Sequence, residues 1–258
     1  MGISINEYLV SVYIWSVYTE CLHGMPSKCP IRVAVPVNLR PYFNSITTKN
    51  FFVMVSAEFH PTKETYTFAE VAAIVKESLR SQINRENLEK LFSYNVSNEK
   101  LLIARVVPLF LKNLAMKYVY TTSALANTAT ITNIGNISVT EEYRPYVEMF
   151  HAFLAMSKGQ HLKGTICSYG DTLVFSFSYD LVDASVQRGF FRKIASDGIA
   201  VEIKSNGVIM SKCRNCNVEI SDETERCPLC GSVLEYTGEV ENMYPGCESA
   251  HPENDNDQ

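Results

Sequence analysis

The strongest secondary-structure signal in the chain is KGTICSYGDTLVFSFSY, residues 163–179. Gly170 and Asp171 form a two-residue turn of the kind that joins antiparallel strands. After the turn, large apolar residues alternate with small ones from Thr172 to Tyr179, which is the period of a strand with one buried face. The stretch therefore predicts a β-hairpin, with strands over 163–168 and 172–179.

Around this hairpin the sequence predicts further helices and strands. Ser4 and Glu7 match a capping box, which predicts a helix from there to Leu22. Two β-branched stretches, 31–39 and 51–59, follow as strands, and Pro36 favours a sheet edge or a bulge. The remaining predictions are helices at 67–91, 101–118 (two pieces meeting near Pro108) and 183–195, and strands at 129–134, 147–156 and 199–204. This mixture predicts an α/β fold.

Two CxxC pairs lie near the C-terminus. Cys213 and Cys216 are followed, after ten residues, by Cys227 and Cys230. Two such turns supply four thiolates, which is the ligand set of a closed tetrahedral zinc site. Two disulfides or a redox CxxC are the alternatives, and paired turns at this spacing favour metal. We expect a structural Zn²⁺ in a zinc ribbon over 209–236, with Gly231 supplying a permissive backbone.

Composition narrows the class of protein. The net charge of −5 argues against general nucleic-acid binding, which requires a basic face. Apolar runs are shorter than the roughly 18 residues of a membrane span. The other four cysteines are scattered through the chain, which favours a reducing cytoplasm. Residues 237–258 are acidic and polar, so we expect a disordered tail.

Three stretches resemble a known family. PIRVAVPVNLRPYF (30–43), followed by KNFF (49–52), resembles the start of the C-terminal half of alcohol acetyltransferases. These enzymes belong to the chloramphenicol acetyltransferase-like superfamily, which includes condensation domains. TITNIGN (130–136) resembles the SNxG strand and turn of that superfamily, and VFSFSYD (174–180) resembles its closing strand. The resemblance covers residues 4–207.

The resemblance implies a fold, a reaction and a missing part. Family members have two halves, each a mixed sheet with helices on one side, and transfer acyl groups from acetyl-CoA or another acyl thioester. Their catalytic histidine belongs to an HHxxxDG motif in the N-terminal half, and this sequence has no such motif. We therefore expect residues 1–208 to be an acyltransferase-like C-terminal half, as a truncated gene or one piece of a split protein.

This expectation has consequences for activity and partners. We expect no acyl transfer by the chain alone, and pairing with a separate N-terminal half or self-association. A non-catalytic scaffold, which would use the sheet and the ribbon to bind protein partners, is the alternative from a different functional class.

Four residues in the resembling stretches are candidates for substrate binding: Asn38, Arg40, Asn133 and Gly135. Arg40 could lie near the acyl channel, or it could pair with a carboxylate and fix the strand end. Asn133 and Gly135 could contact a thioester or oxyanion. They could also form a turn with a positive φ angle, capped by Asn133.

Three further polar residues have structural interpretations. Asp183 is predicted to cap the following helix, and Asp180 to be a turn residue or the partner of an arginine. An acid–base pair is the alternative, which the sequence disfavours because it shows no histidine beside them. His151 lies in an apolar segment and is predicted to be a core or sheet-face residue.

Overall fold

The structure of the protein, a computed structural model, describes residues 2–100, 108–157, 160–180, 184–204, 210–213, 215–216, 218–221, 226–227, 229–233 and 235–236. The chain divides into two compact units, Met1–Phe190 and Phe191–Gln258. The predicted domain boundary at 208/209 falls outside the described residues, and so does the predicted tail at 237–258. The boundary between the two units, after Phe190, lies within the helix Ser185–Ser196.

The first unit contains most of the predicted elements. Its helices are α1 (Ile5–Ser16), which a π-helical turn (Val17–Cys21) continues, α2 (Arg40–Phe43), α3 (Phe68–Gln82), α4 (Arg85–Lys100), α5 (Leu109–Leu125) and the start of α6 (Ser185–Ser196). Its strands are β1 (Ile31–Asn38), β2 (Phe52–Phe59), β3 (Ala129–Asn136), β4 (Leu162–Tyr169) and β5 (Thr172–Tyr179). A short 3-10 turn, Arg144–Tyr146, precedes β4.

The five strands form one mixed sheet in the order β2-β1-β3-β4-β5. β1 is antiparallel to β2, β3 lies parallel to both β1 and β4, and β5 returns antiparallel to β4. The predicted hairpin is confirmed, with Tyr169 opposite Thr172 beside the Gly170–Asp171 turn. The α/β class predicted from the sequence is therefore confirmed.

One face of the sheet carries the aromatic core. Tyr13 of α1 contacts Phe177, and Tyr18 of the π-helical turn contacts Phe59, with ring centroids 6.5 and 5.6 Å apart. On the same face, Phe190 of α6 lies 5.1 Å from Phe177. Helices from both ends of the unit thus cover one face, and burial of these rings supplies much of its stability.

The edge strand β2 is protected by side chains of α3. The backbone amide of Glu58 donates to Ser78 Oγ at 3.1 Å, and the amide of Ser56 donates to Gln82 Oε1 at 3.3 Å. Gln82 also donates to the Ser56 carbonyl at 2.9 Å. An unpaired edge would be a template for aggregation, and these bonds satisfy part of it.

Two predicted elements differ in the structure. β1 is an interior strand rather than an edge, but its pairing with β3 ends at Ala34, so Pro36 lies beside an unpaired flank. The predicted helix 67–91 is two helices, because Ile83 leaves the helical conformation after α3. The first of them, α3, begins with a capping box formed by Thr67 and Glu70.

The predicted strand at 147–156 is wrong, because this segment is irregular. Instead of pairing with a strand, its carbonyls meet side chains of β4. Phe150 O lies 3.1 Å from Cys167 Sγ, and Ala155 O accepts a hydrogen bond from Lys163 Nζ at 2.7 Å. An apolar run suggested a strand, but only tertiary contacts determine whether its backbone pairs.

The second unit begins in the C-terminal part of α6 and contains a small sheet. Its strands are β6 (Ile203–Lys204), β7 (Met210–Lys212), β8 (Glu219–Ser221) and β9 (Glu235–Tyr236), in the order β6-β8-β7-β9. The predicted strand at 199–204 is therefore limited to its last two residues. The four cysteines of the CxxC pairs belong to this unit.

Candidate metal centre and acyltransferase-like site

The four cysteines of the two CxxC pairs converge on one point. The sulfurs of Cys213, Cys216, Cys227 and Cys230 all lie within 4.8 Å of one another. The Sγ atoms are 3.4 Å apart both in the Cys213–Cys230 pair and in the Cys216–Cys227 pair. A tetrahedral zinc–thiolate site has sulfurs about 3.8 Å apart, whereas a disulfide requires about 2.05 Å. The donor set and its spacing fit a metal ion with four thiolate ligands.

The backbone around the second pair has the geometry of a metal knuckle. Cys227 Sγ accepts a hydrogen bond from the Leu229 amide at 3.4 Å. The Gly231 amide donates to Cys227 O at 2.8 Å, and Gly231 has a φ of +75°. A side chain is disfavoured at this φ, so the predicted need for a permissive residue at position 231 is confirmed.

The ionisation of the thiols also suits a cation. Burial raises the pKa of Cys216 and of Cys227, because a thiolate is poorly solvated there. Burial acts in the same direction on Cys230, but hydrogen bonds with Ser232, Cys213 and Asn215 together outweigh it and lower the pKa to about 6. Cys230 Sγ lies 3.2 Å from Ser232 Oγ. The buried thiols therefore ionise readily only when a cation compensates their charge.

Residues outside the CxxC pairs complete the environment of the cluster. Val218 and Leu229 are buried with Cys213 and Cys227, and the hydrophobic residues packed against them are Phe191, Ala195, Ile203 and Cys216. Arg192 Nε donates to the Leu229 carbonyl, next to Cys230. The sequence prediction missed this role of α6, because a repeat of apolar residues in a helix does not reveal which surface the helix contacts.

Arg40 fixes the loop after β1. Its Nε donates to Thr47 O at 2.8 Å and its NH2 group to Lys49 O at 2.6 Å. Asn38 Oδ1 accepts from the Arg40 amide at 3.1 Å. The contacts of Arg40 thus agree with the structural alternative, in which it fixes the strand end. Its partners are carbonyls instead of the predicted carboxylate.

Asn133 and Gly135 form the predicted turn, inside strand β3. Asn133 Oδ1 accepts a hydrogen bond from the Gly135 amide at 2.8 Å, and Gly135 has a φ of +87°. The register with β4 shifts between these two residues, which is a β-bulge. Their role in substrate binding stays a prediction.

The four candidate residues lie at the same end of the parallel strands. β1, β3 and β4 are parallel, and Asn38 and Asn133 lie towards the carboxyl ends of β1 and β3. Ligands of open α/β sheets bind outside this end of the strands. Substrate binding by these residues stays a prediction.

The sequence prediction missed a histidine–carboxylate pair, which lies next to the start of β4 and the end of β5. His161 Nδ1 is 3.0 Å from Asp180 Oδ1, and both side chains are about half exposed. His161 is six residues from Cys167, which pairs with Gly135, so the pair is about 20 Å from Gly135 at 3.3 Å per residue. His161 therefore cannot act on a substrate held at Gly135.

The predicted hairpin could have revealed this pair. With a turn at Gly170 and Asp171, equal steps outward place residue 161 opposite residue 180. The prediction that Asp180 pairs with an arginine or forms a turn is thus wrong about its partner. Asp183 lies outside the described residues.

His151 is exposed, contrary to the prediction of a core or sheet-face residue. It lies in the irregular segment before β4, and its ring stacks on Phe153 at 6.4 Å. The misplacement follows from the predicted strand at 147–156, because without a strand there is no sheet face to hold His151.

Comparison with solved structures gives twelve similar chains, among them the two that follow. No family model and no curated protein matches the chain. A crystal structure of the nonribosomal peptide synthetase FmoA3 in its AMPPNP-bound form is similar at 17% identity and a TM-score of 0.45. A structure on condensation domain-mediated chain release from the enacyloxin polyketide synthase is similar at 10% identity and a TM-score of 0.35.

These similarities cover 76% and 73% of this chain, but only 19% and 34% of the two larger chains. With TM-scores below 0.5, neither similarity carries an argument about activity. Among the described residues, no helix is long and apolar enough to cross a membrane.

Proposed function

We propose that the chain binds one structural zinc ion through Cys213, Cys216, Cys227 and Cys230. The observation that carries this proposal is the convergence of four sulfurs within 4.8 Å. Four thiolates fill a tetrahedral site and leave no position for water or substrate, so the ion would stabilise structure and take no part in catalysis. When bound, zinc supplies the positive charge that lets the buried thiols ionise.

We further propose that residues 1–208 are the C-terminal portion of an acyl-CoA-dependent O-acyltransferase of the alcohol acetyltransferase type. The sequence resemblance supports this proposal, together with the turn at Asn133 and Gly135 at the carboxyl edge of a parallel sheet. Acetyl-CoA or another acyl thioester would be the donor, and Asn38, Arg40, Asn133 and Gly135 would line the substrate site.

The proposed half has no catalytic base at this site. None of the described contacts of Asn38, Arg40, Asn133 or Gly135 involves a histidine, and the sequence contains no HHxxxDG motif. Acyl transfer needs a base within hydrogen-bond reach of the acceptor hydroxyl. The chain alone is therefore inactive, and a separate N-terminal half would supply the histidine.

The test is release of free CoA from acetyl-CoA with a panel of short alcohols. The chain alone should give no release above background. An N-terminal half carrying HHxxxDG, added in trans, should give release that is lost when its histidine is replaced by alanine. Turnover by the chain alone, or no turnover with any such half, would contradict the proposal.

A second candidate function is a non-catalytic scaffold, which would bind its partners through helix α5. Large apolar side chains are exposed on all sides of this helix, including Phe110, Leu114 and Tyr118 at 70, 67 and 75% exposure. Contiguous exposed apolar surface of this kind usually marks a contact with a partner. α5 is thus the proposed contact for the missing half, for a second copy or for another protein in the cytoplasm.

The two candidate functions differ in which partner covers α5. Leu114→Lys should prevent the N-terminal half from restoring activity if the chain is half of an enzyme. In a scaffold, the same substitution should abolish partner binding or self-association while no half restores activity. Light scattering and the CoA assay together separate these outcomes.

A further inference from the structure

Strand β2 lies at one edge of the five-stranded sheet, where β1 is its only neighbour. The Leu39 amide donates to Phe51 O at 3.0 Å, and this pair continues the register in which Asn38 lies opposite Phe52. Bonded positions alternate in an antiparallel pair, so the odd-numbered residues of β2 bond to β1. The N–H and C=O groups of its even-numbered residues therefore face away from the sheet.

Side chains of α3 fill the C-terminal half of this outer side. The outward amide of Ser56 donates to Gln82 Oε1 at 3.3 Å, and Gln82 donates back to the Ser56 carbonyl at 2.9 Å. The outward amide of Glu58 donates to Ser78 Oγ at 3.1 Å. Because these groups already have partners, this half of β2 is closed to another strand.

The N-terminal half of the same side is open. Within the described part of the chain, no residue forms a hydrogen bond with the outward N–H or C=O group of Phe52 or Met54. Asn50 directly precedes Phe51, is exposed, and forms no hydrogen bond with a described residue either. Three outward positions, at residues 50, 52 and 54, are therefore available for pairing.

The open half lacks the usual protection of a sheet edge. Natural edge strands carry charges, prolines or bulges that prevent pairing with another chain. Residues 50–54 are Asn-Phe-Phe-Val-Met, without charge or proline, and β2 pairs with β1 without a bulge. The side chains of Phe52 and Met54 are 49 and 45% exposed. Open backbone groups beside exposed apolar side chains are the features of a strand-pairing site.

We propose that residues 50–54 pair with the same residues of a second copy of this chain, antiparallel and about a twofold axis. The open positions match one another completely when the two Phe52 residues lie opposite each other. Asn50 then lies opposite Met54, and the pairing forms about six hydrogen bonds. A shift towards the C-terminus would bring in Ser56, whose outward groups are occupied. The two five-stranded sheets become one continuous sheet.

The segment is complementary to itself in charge and in side-chain type. It is uncharged, so the pairing places no like charges opposite each other. The two Phe52 rings become cross-strand neighbours, and such aromatic pairs stabilise antiparallel sheets. Five paired residues cover less than the roughly 800 Å² per partner of a stable complex. We therefore expect a weak dimer, with a dissociation constant of about 10–100 µM.

Sedimentation equilibrium of the full chain tests the dimer. From about 1 to about 300 µM, the protein should change reversibly from monomer to dimer. Met54→Lys puts a charge on the open edge and should weaken the dimer at least about tenfold. Leu173→Lys is the matched control, because Leu173 is 43% exposed on the other edge strand, β5, and it should leave the dimer unchanged. A monomer throughout, or an equal loss in both variants, would overturn the proposal.

Cysteine cross-linking tests the register. Opposite residues of a bonded antiparallel pair have Cα atoms about 5.5 Å apart, within the range of a disulfide. Phe52→Cys should therefore give a covalent dimer under mild oxidation. Met54→Cys should not, because its counterpart would lie about 13 Å away along the strands. Both variants also carry Cys21→Ser and Cys29→Ser, which remove exposed thiols.

The cross-linking result separates this contact from other kinds of association. Equal cross-linking of Phe52→Cys and Met54→Cys, or none of Phe52→Cys at 300 µM (about three times the weakest expected dissociation constant), would overturn the proposal. Leu114→Lys in α5 should leave the β2 dimer intact. A dimer that is lost in Leu114→Lys and kept in Met54→Lys would place the contact on α5 and overturn the proposal for β2. Neither measurement depends on acyl transfer, so the acyltransferase proposal stands or fails separately.

Discussion

The two units of the molecule are stabilised in different ways. In the first unit, aromatic and aliphatic side chains from α1, α6 and the five-stranded sheet are buried together, as in the contact of Phe177 with Phe190. In the second unit the buried cluster consists of Cys213, Val218, Cys227 and Leu229. Two of these four residues are cysteines of the proposed zinc site, and so small an apolar cluster gives little stability through burial alone. The proposed zinc ion would therefore take the place of an apolar core in the second unit.

The largest expected effect follows from removing a ligand. Cys227→Ser should unfold the second unit, since a structural zinc contributes about 10 kcal/mol or more to such a unit. Hydrogen exchange should show lost protection around residues 210–233 and in Phe191–Ser196, while β1–β5 keep theirs. The control is Cys29→Ser, at an exposed cysteine outside the cluster, which should change neither unit. Equal loss of protection in the sheet would contradict the comparison.

A substitution in the sheet should give the converse result. A Cβ on Gly164 would lie 2.7 Å from Phe175 Cζ and 3.2 Å from Ile131 Cγ1. Gly164→Ala should therefore destabilise the first unit by about 1–3 kcal/mol through overpacking. Urea denaturation, monitored by circular dichroism, measures this loss of stability. Thr172→Ala, at an exposed position in the same hairpin, is the control, and metal content should be unchanged in both variants.

A smaller effect is expected at the contact between α6 and the second CxxC turn. Arg192→Met removes the hydrogen bond to the Leu229 carbonyl, so zinc should be released to a chelator about threefold to tenfold faster. Arg192→Lys should restore part of the difference, since an ammonium can also donate. Arg188→Met, at an exposed position on the same helix, should leave the release rate unchanged. Identical rates for Arg192→Met and Arg188→Met would show that Arg192 does not position the turn.

A further predicted effect depends on pH and belongs to the first unit. Glu7 caps α1 and accepts hydrogen bonds from Arg80 on α3, which hold its pKa below the ordinary value of 4.5. A lowered folded pKa adds stability above the ordinary pKa, and this stability is lost as the pH falls through the folded value. Glu7→Gln should thus cost about 1–2 kcal/mol at neutral pH and nothing in strong acid.

Thermal denaturation across this pH range measures the difference between Glu7→Gln and the unmodified chain. Glu86→Gln breaks an exposed pair with Lys90 and should have little effect at any pH. A pH-independent loss for Glu7→Gln would mean that the charge of Glu7 does not contribute.

The sequence predicted the features that depend on neighbouring residues. The capping box of α1, the hairpin turn and the CxxC spacing are local, and each has a specific chemical requirement such as the positive φ at Gly231. The irregular course of 147–156 could not be predicted, because it depends on Lys163 and Cys167 meeting its carbonyls. The same holds for the contacts of Phe191 and Arg192 with the cysteine cluster, which a helical pattern does not specify.

The His161–Asp180 pair is a different kind of omission. The correctly predicted turn fixed the register of the hairpin, and that register places the two residues opposite each other. The information was thus present in the sequence, but it required counting along both strands from the turn. Residue partners in hairpins can be predicted in this way whenever the turn is well defined.

The central claim is that a metal ion holds the second unit together, and metal stoichiometry tests it most directly. Elemental analysis of the full chain, purified without added metal, should give about one zinc per chain. Thiol titration under native conditions should find the four cluster cysteines protected, while exposed Cys21 and Cys29 react. A zinc content near zero, with all four cluster thiols reacting freely while the protein remains folded, would contradict the claim.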